Sequence, residues 1–156
     1  MQVIIGLGGN IGDPPAAFHR AIAALGTVHR VHRVSRFLRT RPVGPPQPEY
    51  TNGAVLVDVR SGLLTLLELC LELEAAAGRV REDAPRWGPR PLDLDLLIAE
   101  DVVHRGPRLI LPHPELHRRA FALVPAAELC PAWVHPFAGA TLAELAASVT
   151  GTNPYR

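Results

Sequence analysis

Residues 86–98 read Arg86-Trp87-Gly88-Pro89-Arg90-Pro91-Leu92-Asp93-Leu94-Asp95-Leu96-Leu97-Ile98. Proline and glycine punctuate the first half, as in loops. The second half alternates aspartate with leucine, the period of a β-strand. Side chains two apart on a strand share a face. Asp93 and Asp95 therefore lie on one face, with Leu92, Leu94 and Leu96 packed on the other. Two adjacent carboxylates repel each other and are costly beside an apolar sheet unless a cation sits between them. Four arginines, Arg79, Arg81, Arg86 and Arg90, crowd the preceding loop. Guanidinium groups suit phosphate oxygens. A divalent metal ion with phosphates satisfies both sets, and Mg²⁺ in phosphoryl-transfer sites typically takes one or two carboxylates plus substrate phosphates.

Working outward, the segment from Gln2 to Gly8 is β-rich and apolar, as a buried strand is. The turn from Gly8 to Pro15 follows, with Asp13 placed to cap a helix and prolines in its first turn. The glycines do not make a dinucleotide fingerprint, because Ile11 stands where the third glycine belongs. A helix is expected from Ala16 to Leu25, burying Phe18, Ile22 and Leu25 and ended by Gly26. A strand is expected from Val31 to Arg39. Residues 41–49 hold four prolines and form an irregular loop, a frequent place for function. Tyr50 to Val59 alternates as a strand: Gly53, Val55, Val57 and Val59 on one face, Asn52, Ala54, Leu56 and Asp58 on the other. An amphipathic helix from Leu63 to Ala77 ends at Gly78. Beyond Asp95, a hairpin from Val102 to Leu111 turns at Arg105-Gly106-Pro107, a helix runs from Phe121 to Glu128, and a last one from Thr141 to Val149.

This order contains two β-α-β units joined by an antiparallel pairing. It reads as an α+β, ferredoxin-like sandwich of three-layer type, with a mainly antiparallel central sheet, helices packed on it, and an added C-terminal hairpin and helices. Residues 1–156 read as one domain.

Composition limits the function. A formal charge of +1 and 20% charged residues give no global field for nucleic acid or an anionic membrane. No apolar run reaches the roughly 20 residues of a membrane span, and the N-terminus lacks a signal-peptide pattern; the cytoplasm and a monomer are the expectation. Cys70 and Cys130 lack zinc-ligand spacing and read as buried thiols. All 16 basic residues are arginine. Mechanisms that need a lysine, such as the P-loop and the Schiff base, are excluded.

The remaining polar and aromatic residues carry plainer readings beside functional ones. The loop arginines balance Glu82 and Asp83, or they clamp phosphates. Arg90, held between Pro89 and Pro91 just before Asp93, is the strongest functional candidate. Trp87 packs on the surface or stacks on a ligand ring. His113, between two prolines, has a nearly fixed backbone; the other six histidines read as surface residues. Phe121 reads as core on pattern alone.

Taken together, these residues resemble the 6-hydroxymethyl-7,8-dihydropterin pyrophosphokinase family. The likeness rests on Arg86-Trp87-Gly88-Pro89-Arg90-x-x-Asp93-Leu94-Asp95, Gly8-Gly9-Asn10-x-Gly12-Asp13, Arg39-Thr40-x-Pro42-Val43-Gly44-Pro45 with Tyr50-x-Asn52, Glu74, Gly78-Arg79-x-Arg81, Pro112-His113 and Arg119-x-Phe121. The resemblance implies transfer of pyrophosphate from ATP to the hydroxymethyl group of the pterin, with release of AMP. It implies that Asp93 and Asp95 hold two Mg²⁺ ions, and that Arg81 and Arg90 act on the phosphates. Glu74, Leu96, Arg108, His113 and Arg119 would complete the ATP site. Tyr50 and Phe121 would sandwich the pterin, Asn52 with backbone at Thr40 and Val43 would read its edge, and Trp87 would close over it. Such a transfer needs positioning and charge neutralisation more than covalent help.

The chain departs from the family at Leu71, where glutamine is common, at Glu82, where a basic residue is common, and at Pro114, where tyrosine often follows the histidine. One extra residue stands between Arg81 and Trp87. Two other classes compete. A Mg²⁺-dependent phosphohydrolase using Asp93 and Asp95 would turn over phosphoesters without a pterin. A ferredoxin-like module binding RNA or protein would show a basic surface and aromatics on the sheet face, and the chain has neither pattern.

Overall fold

The structure is a computed structural model that describes residues 1–42, 44–78 and 89–150. Its main sheet has five strands: β1 (Gln2–Gly9), β2 (Arg30–Val34), β3 (Leu38–Thr40), β4 (Tyr50–Asp58) and β5 (Asp93–Ala99). The order is β2-β4-β1-β5, with β3 also on β4, and every pairing is antiparallel. Helices α1 (Pro14–Val28) and α2 (Leu63–Ala76) make the two crossovers. This is the expected ferredoxin-like arrangement. The apolar run of β1 fits its place, with a neighbour on each edge and a helical layer on each face.

The two faces carry separate cores. Val3, Ile5, Leu7, Val55 and Val57 pack against Phe18 and Leu25 of α1 and Leu66 and Cys70 of α2. On the other face Ile4, Ala54, Leu56 and Ile98 meet α3 (Ala120–Leu129) and α4 (Leu142–Val149). The added C-terminal helices thus cover the face that the two β-α-β units leave open, giving three layers. Two hairpins complete the chain: β6 (His104–Arg105) with β7 (Ile110–Leu111), and β8 (Val134–His135) with β9 (Ala140–Thr141).

The local signals at helix ends hold. The Asp13 side chain accepts the Ala16 N–H at 3.1 Å, with prolines in the first turn. Thr141 and Glu144 form a reciprocal capping box on α4. Gly78 sits just past α2 at φ +95°, where a glycine costs least.

Three expectations need correction. Gly26 does not end α1; the helix runs on to Val28 and closes when His29 N–H donates to Leu25 O at 2.8 Å. The strand expected over Val31–Arg39 is broken at residues 35–37. Phe37 turns inward there and meets Phe18 edge-on at 5.0 Å, in space that the missing Cβ of Gly53 leaves. Ser35 bridges the gap, its hydroxyl accepting the Ala54 N–H at 2.8 Å. Finally, His29 and His135 are buried rather than surface residues, and each Nδ1 accepts backbone N–H groups: Arg60 for His29, Phe137 and Ala138 for His135.

Candidate active site

The site grows from the register of three strands. Asn52 pairs with Gly8, and Gly8 with Asp93. One step along, Ala54 pairs with Gly6, and Gly6 with Asp95. Residues in register on neighbouring strands project to the same face, so each row runs from a carboxylate across a glycine to β4. The next row, through Ile4 and Leu56, is buried under α3 and α4. The α3–α4 layer thus covers the middle of the sheet, and the two aspartates lie half-buried toward its end. Leu94 and Leu96 point into the opposite core, as the alternation requires. A Cβ on Gly8 would stand 3.2 Å from Asn52 Oδ1 and 3.8 Å from Asp93 Cβ. The glycine therefore keeps a flat floor between these two side chains. Gly8 was legible only as a strand and turn residue; at Gly6 the side chain of Leu97 takes the space, 3.2 Å from where a Cβ would stand.

Arg90 arrives over the same edge. Its Nη1 donates to Asp93 Oδ2 at 3.3 Å, and its Nε is buried with no hydrogen-bond partner among the described residues. A buried donor left without a partner is costly, and a substrate oxygen would complete it. The approach of the two chains is close: a Cβ on Gly9 would lie 2.7 Å from Pro91 O. Asn10 continues the contact, bonding to both backbone groups of Arg90.

His113 is held by its own surroundings. Its N–H donates to Leu97 O at 2.7 Å and its Nδ1 accepts the Glu115 N–H at 3.1 Å. With Nδ1 so engaged, the neutral ring carries its proton on Nε2 and offers a donor. Burial, and then the Arg119 guanidinium, hold its pKa below the ordinary value, while Glu115 and Asp93 oppose them. His113 is therefore a neutral donor at pH 7.

A cleft of about 490 Å³ opens beside Asp95 and His113. It is lined by Leu67 and Leu71 of α2, Asp95 and Leu96 of β5, and Arg108, Ile110 and His113 from the hairpin and its exit. Three residues expected on the nucleotide side, Leu96, Arg108 and His113, meet here with Asp95, and Leu71, one of the departures from the family, lines the same cleft. Arg108 Nη1 donates to Glu68 Oε1 at 3.2 Å with both side chains half-exposed, a pairing weak enough to exchange for another anion. A larger cleft of about 780 Å³, on Ile110, His113, His117, His135 and Phe137, shares the hairpin but neither aspartate.

On the other side of the floor, Asn52 Nδ2 donates to Thr40 Oγ1 at 2.6 Å, both groups buried. Tyr50 pairs with Thr40 at the start of β4 and is half-buried. Phe121, in the first turn of α3, packs at the edge of the second core, with the Arg119 guanidinium 5.7 Å from its ring centre. Glu74 stands apart from the cleft. It is 1% exposed, and its Oε2 accepts the Leu94 N–H at 2.9 Å on the edge of β5. Burial with Glu74 and Asp95 nearby pushes the Cys70 thiol up to about 12, so it is no nucleophile. Val43, Arg79, Arg81, Glu82, Arg86 and Trp87 lie outside the described residues.

Among the described residues no group of three or more His, Cys, Asp or Glu side chains is arranged to hold a metal ion. The donor set that is present, two half-buried carboxylates beside an arginine, fits a hard divalent cation that takes its remaining ligands from phosphate and water.

A family model described as "7,8-dihydro-6-hydroxymethylpterin-pyrophosphokinase (HPPK)" matches residues 4–131. The chain is 43% identical over 151 residues to a 2-amino-4-hydroxy-6-hydroxymethyldihydropteridine pyrophosphokinase of Synechocystis sp., covering 96% of this chain and 76% of that one. It is 42% identical over 133 residues to the protein of the same name from Methylorubrum extorquens, covering 83% of each. Among solved structures, a chain of Plasmodium falciparum HPPK-DHPS superposes with a TM-score of 0.68 over 96% of this chain and 44% of that one; at 11% identity the likeness is one of fold.

Proposed function

The chain belongs to the 7,8-dihydro-6-hydroxymethylpterin-pyrophosphokinase family, and from that membership we infer its reaction and the residues that perform it. It transfers pyrophosphate from ATP to the hydroxymethyl group of 6-hydroxymethyl-7,8-dihydropterin, giving the pterin diphosphate and AMP, a step of folate biosynthesis. The observation that supports this reading best is the pair of rows that sets Asp93 and Asp95 on one face beside Arg90.

Asp93 and Asp95 would hold two Mg²⁺ ions. When bound, the metal supplies charge neutralisation for the polyphosphate and orientation for the transfer. Arg90 would add a phosphate contact through its unpartnered Nε, and Arg81 would assist it. His113 donates from Nε2 to a phosphate oxygen, and Arg108 exchanges Glu68 for the nucleotide. Arg119, beside His113, adds positive charge. Leu96 lines the nucleotide cleft; Glu74 acts from behind β5, fixing the strand that carries both aspartates. The acceptor side is Tyr50 and Phe121 against the pterin faces, with Asn52 and backbone at Thr40 and Val43 on its edge; Trp87 would close the site. The Asn52–Thr40 bond already fixes one polar group of that edge. The unit takes residues 1–156 as one domain working as a monomer. Among the described residues no helix is long and apolar enough to cross a membrane.

Incubation with ATP, Mg²⁺ and the hydroxymethyl dihydropterin tests the reading. AMP and pterin diphosphate are expected in equal amounts, and only when the pterin is present. Phosphate release from ATP or phosphoesters without the pterin, or no AMP at all, overturns it.

A further inference from the structure

The larger cleft, of about 780 Å³, shares the tip of the β6–β7 hairpin and His113 with the cleft assigned above to the nucleotide. Its own wall is the β8–β9 turn, which is folded around a histidine. His135 is 3% exposed, and its Nδ1 accepts the Phe137 N–H at 3.2 Å and the Ala138 N–H at 3.1 Å. Gly139, at φ +66°, closes the turn by donating its N–H to His135 O at 2.9 Å. With both backbone donors on Nδ1, the neutral ring carries its proton on Nε2. Burial, and then His117, hold its pKa below the ordinary value, so the ring is neutral at pH 7. Nε2 is buried with no hydrogen-bond partner among the described residues. A buried donor is costly until something accepts from it. The rest of the lining is cationic or apolar. The Arg105 guanidinium stands 4.7 Å from the ring centre of the exposed Phe137. Ile110, also exposed, and Pro112 and Pro114 complete the wall, and among the described residues no Asp or Glu lines it.

We propose that this cleft is a second binding site, for a small planar carboxylate with an aromatic body. A ligand oxygen accepts from His135 Nε2–H, Arg105 neutralises the negative charge, and the ring packs against Ile110, Phe137 and the prolines. Two donors without an acidic neighbour select an anion. One guanidinium beside a neutral imidazole suits a single negative charge better than the nearly double charge of a phosphate monoester. The apolar remainder of the lining favours a ligand with a hydrophobic body over a bare inorganic ion. The site is separate from the nucleotide's: Arg105, His117, His135 and Phe137 line this cleft and not the other. The two sites are therefore filled together. Only this last point rests on the nucleotide assignment.

Cinnamate, titrated into the full chain at neutral pH and followed by NMR of isotope-labelled histidine, tests it. A dissociation constant of about 1 mM or lower is expected. The His135 Nε2–H resonance shifts on binding, and its exchange with solvent slows. The uncharged analogue cinnamamide binds at least about tenfold more weakly. Arg105→Ala weakens cinnamate by a similar factor, while its turnover without cinnamate stays within about twofold of wild type, since Arg105 has no part in the transfer. Phe137→Ala weakens cinnamate about fivefold. A saturating non-hydrolysable ATP analogue with Mg²⁺ leaves cinnamate bound. Any one of four results overturns the proposal: no cinnamate binding at about ten times that constant, cinnamamide binding as tightly as cinnamate, bound cinnamate with unmoved His135 resonances, or full displacement by the ATP analogue, which would place cinnamate in the nucleotide cleft. Should Arg105→Ala fail to fold, the comparison with cinnamamide decides the role of charge. Failure of the functional assignment is recognised separately, as wild-type enzyme that makes no AMP, and the cinnamate and cinnamamide titrations still decide the site in that case.

Discussion

On one side of β5, Glu74 is 1% exposed and accepts the Leu94 N–H at 2.9 Å. On the other side, Asp93 and Asp95 are half-buried toward the end of the sheet, with the Arg90 guanidinium 3.3 Å from Asp93. All three are carboxylates within one strand's width of each other. They differ in what surrounds them. Glu74 satisfies a backbone donor that an edge strand leaves over, in a core of leucines. Asp93 and Asp95 stand in register with the glycines Gly8 and Gly6 of β1, and both carboxylates remain partly exposed. A carboxylate enclosed by its own chain stabilises the fold; one beside an open floor is available to the reaction.

That contrast is broken most directly at the aspartates. Asp93→Ala or Asp95→Ala is expected to lower turnover by about a thousandfold or more while the thermal midpoint stays within a few degrees of wild type. Steady-state kinetics beside a melting curve check this, and wild-type rates in either variant would end the metal assignment. Arg90→Ala is expected to lower kcat by more than about a hundredfold, as the action proposed for its guanidinium on developing phosphate charge requires. A change confined to the apparent affinity for ATP would count against that role.

The opposite face sharpens the comparison from the side of stability. Glu74→Ala leaves the Leu94 N–H without its partner and opens a cavity, and is expected to cost about 3 kcal/mol of unfolding free energy by urea titration. Folded Glu74→Ala enzyme should lose far less turnover than Asp93→Ala. The reverse pattern would place Glu74 in the chemistry.

The smallest effect is on pH. His29, His113 and His135 all have pKa values held below the ordinary 6.5, burial being the main cause in each. The unfolded chain therefore binds more protons than the folded one as the pH drops through that range. Stability is complete above about pH 6.5 and is lost progressively on acidification toward the folded-state values. Urea midpoints between pH 8 and 5 should fall in that direction, and a midpoint that rises on acidification would contradict the burial of these rings.

Much of this was legible in the sequence because the signals are local. The alternation at Asp93–Leu96, the cap at Asp13 and Gly78 after α2 each depend on neighbours within a few residues. What escaped reading depends on distant partners. Phe37 breaks a strand because Phe18 and Gly53 make room for it. His29 and His135 look like surface histidines until their backbone donors are seen. Gly8 of β1 becomes a floor only once β4 and β5 lie beside it. Val43, Arg79, Arg81, Arg86 and Trp87 lie outside the described residues.

The close approach of Gly9 to Pro91 also governs which substitutions the chain tolerates. A side chain at residue 9 would meet a backbone oxygen at 2.7 Å, so any replacement must push the lead-in to β5 aside and carry Arg90 with it. Gly12, three residues on, has φ +70° and nothing within 4 Å of an added Cβ. Asparagine and aspartate adopt that backbone conformation at modest cost. A library diversified over residues 8–12 and selected for activity would therefore retain a few replacements at 12 and almost none at 9.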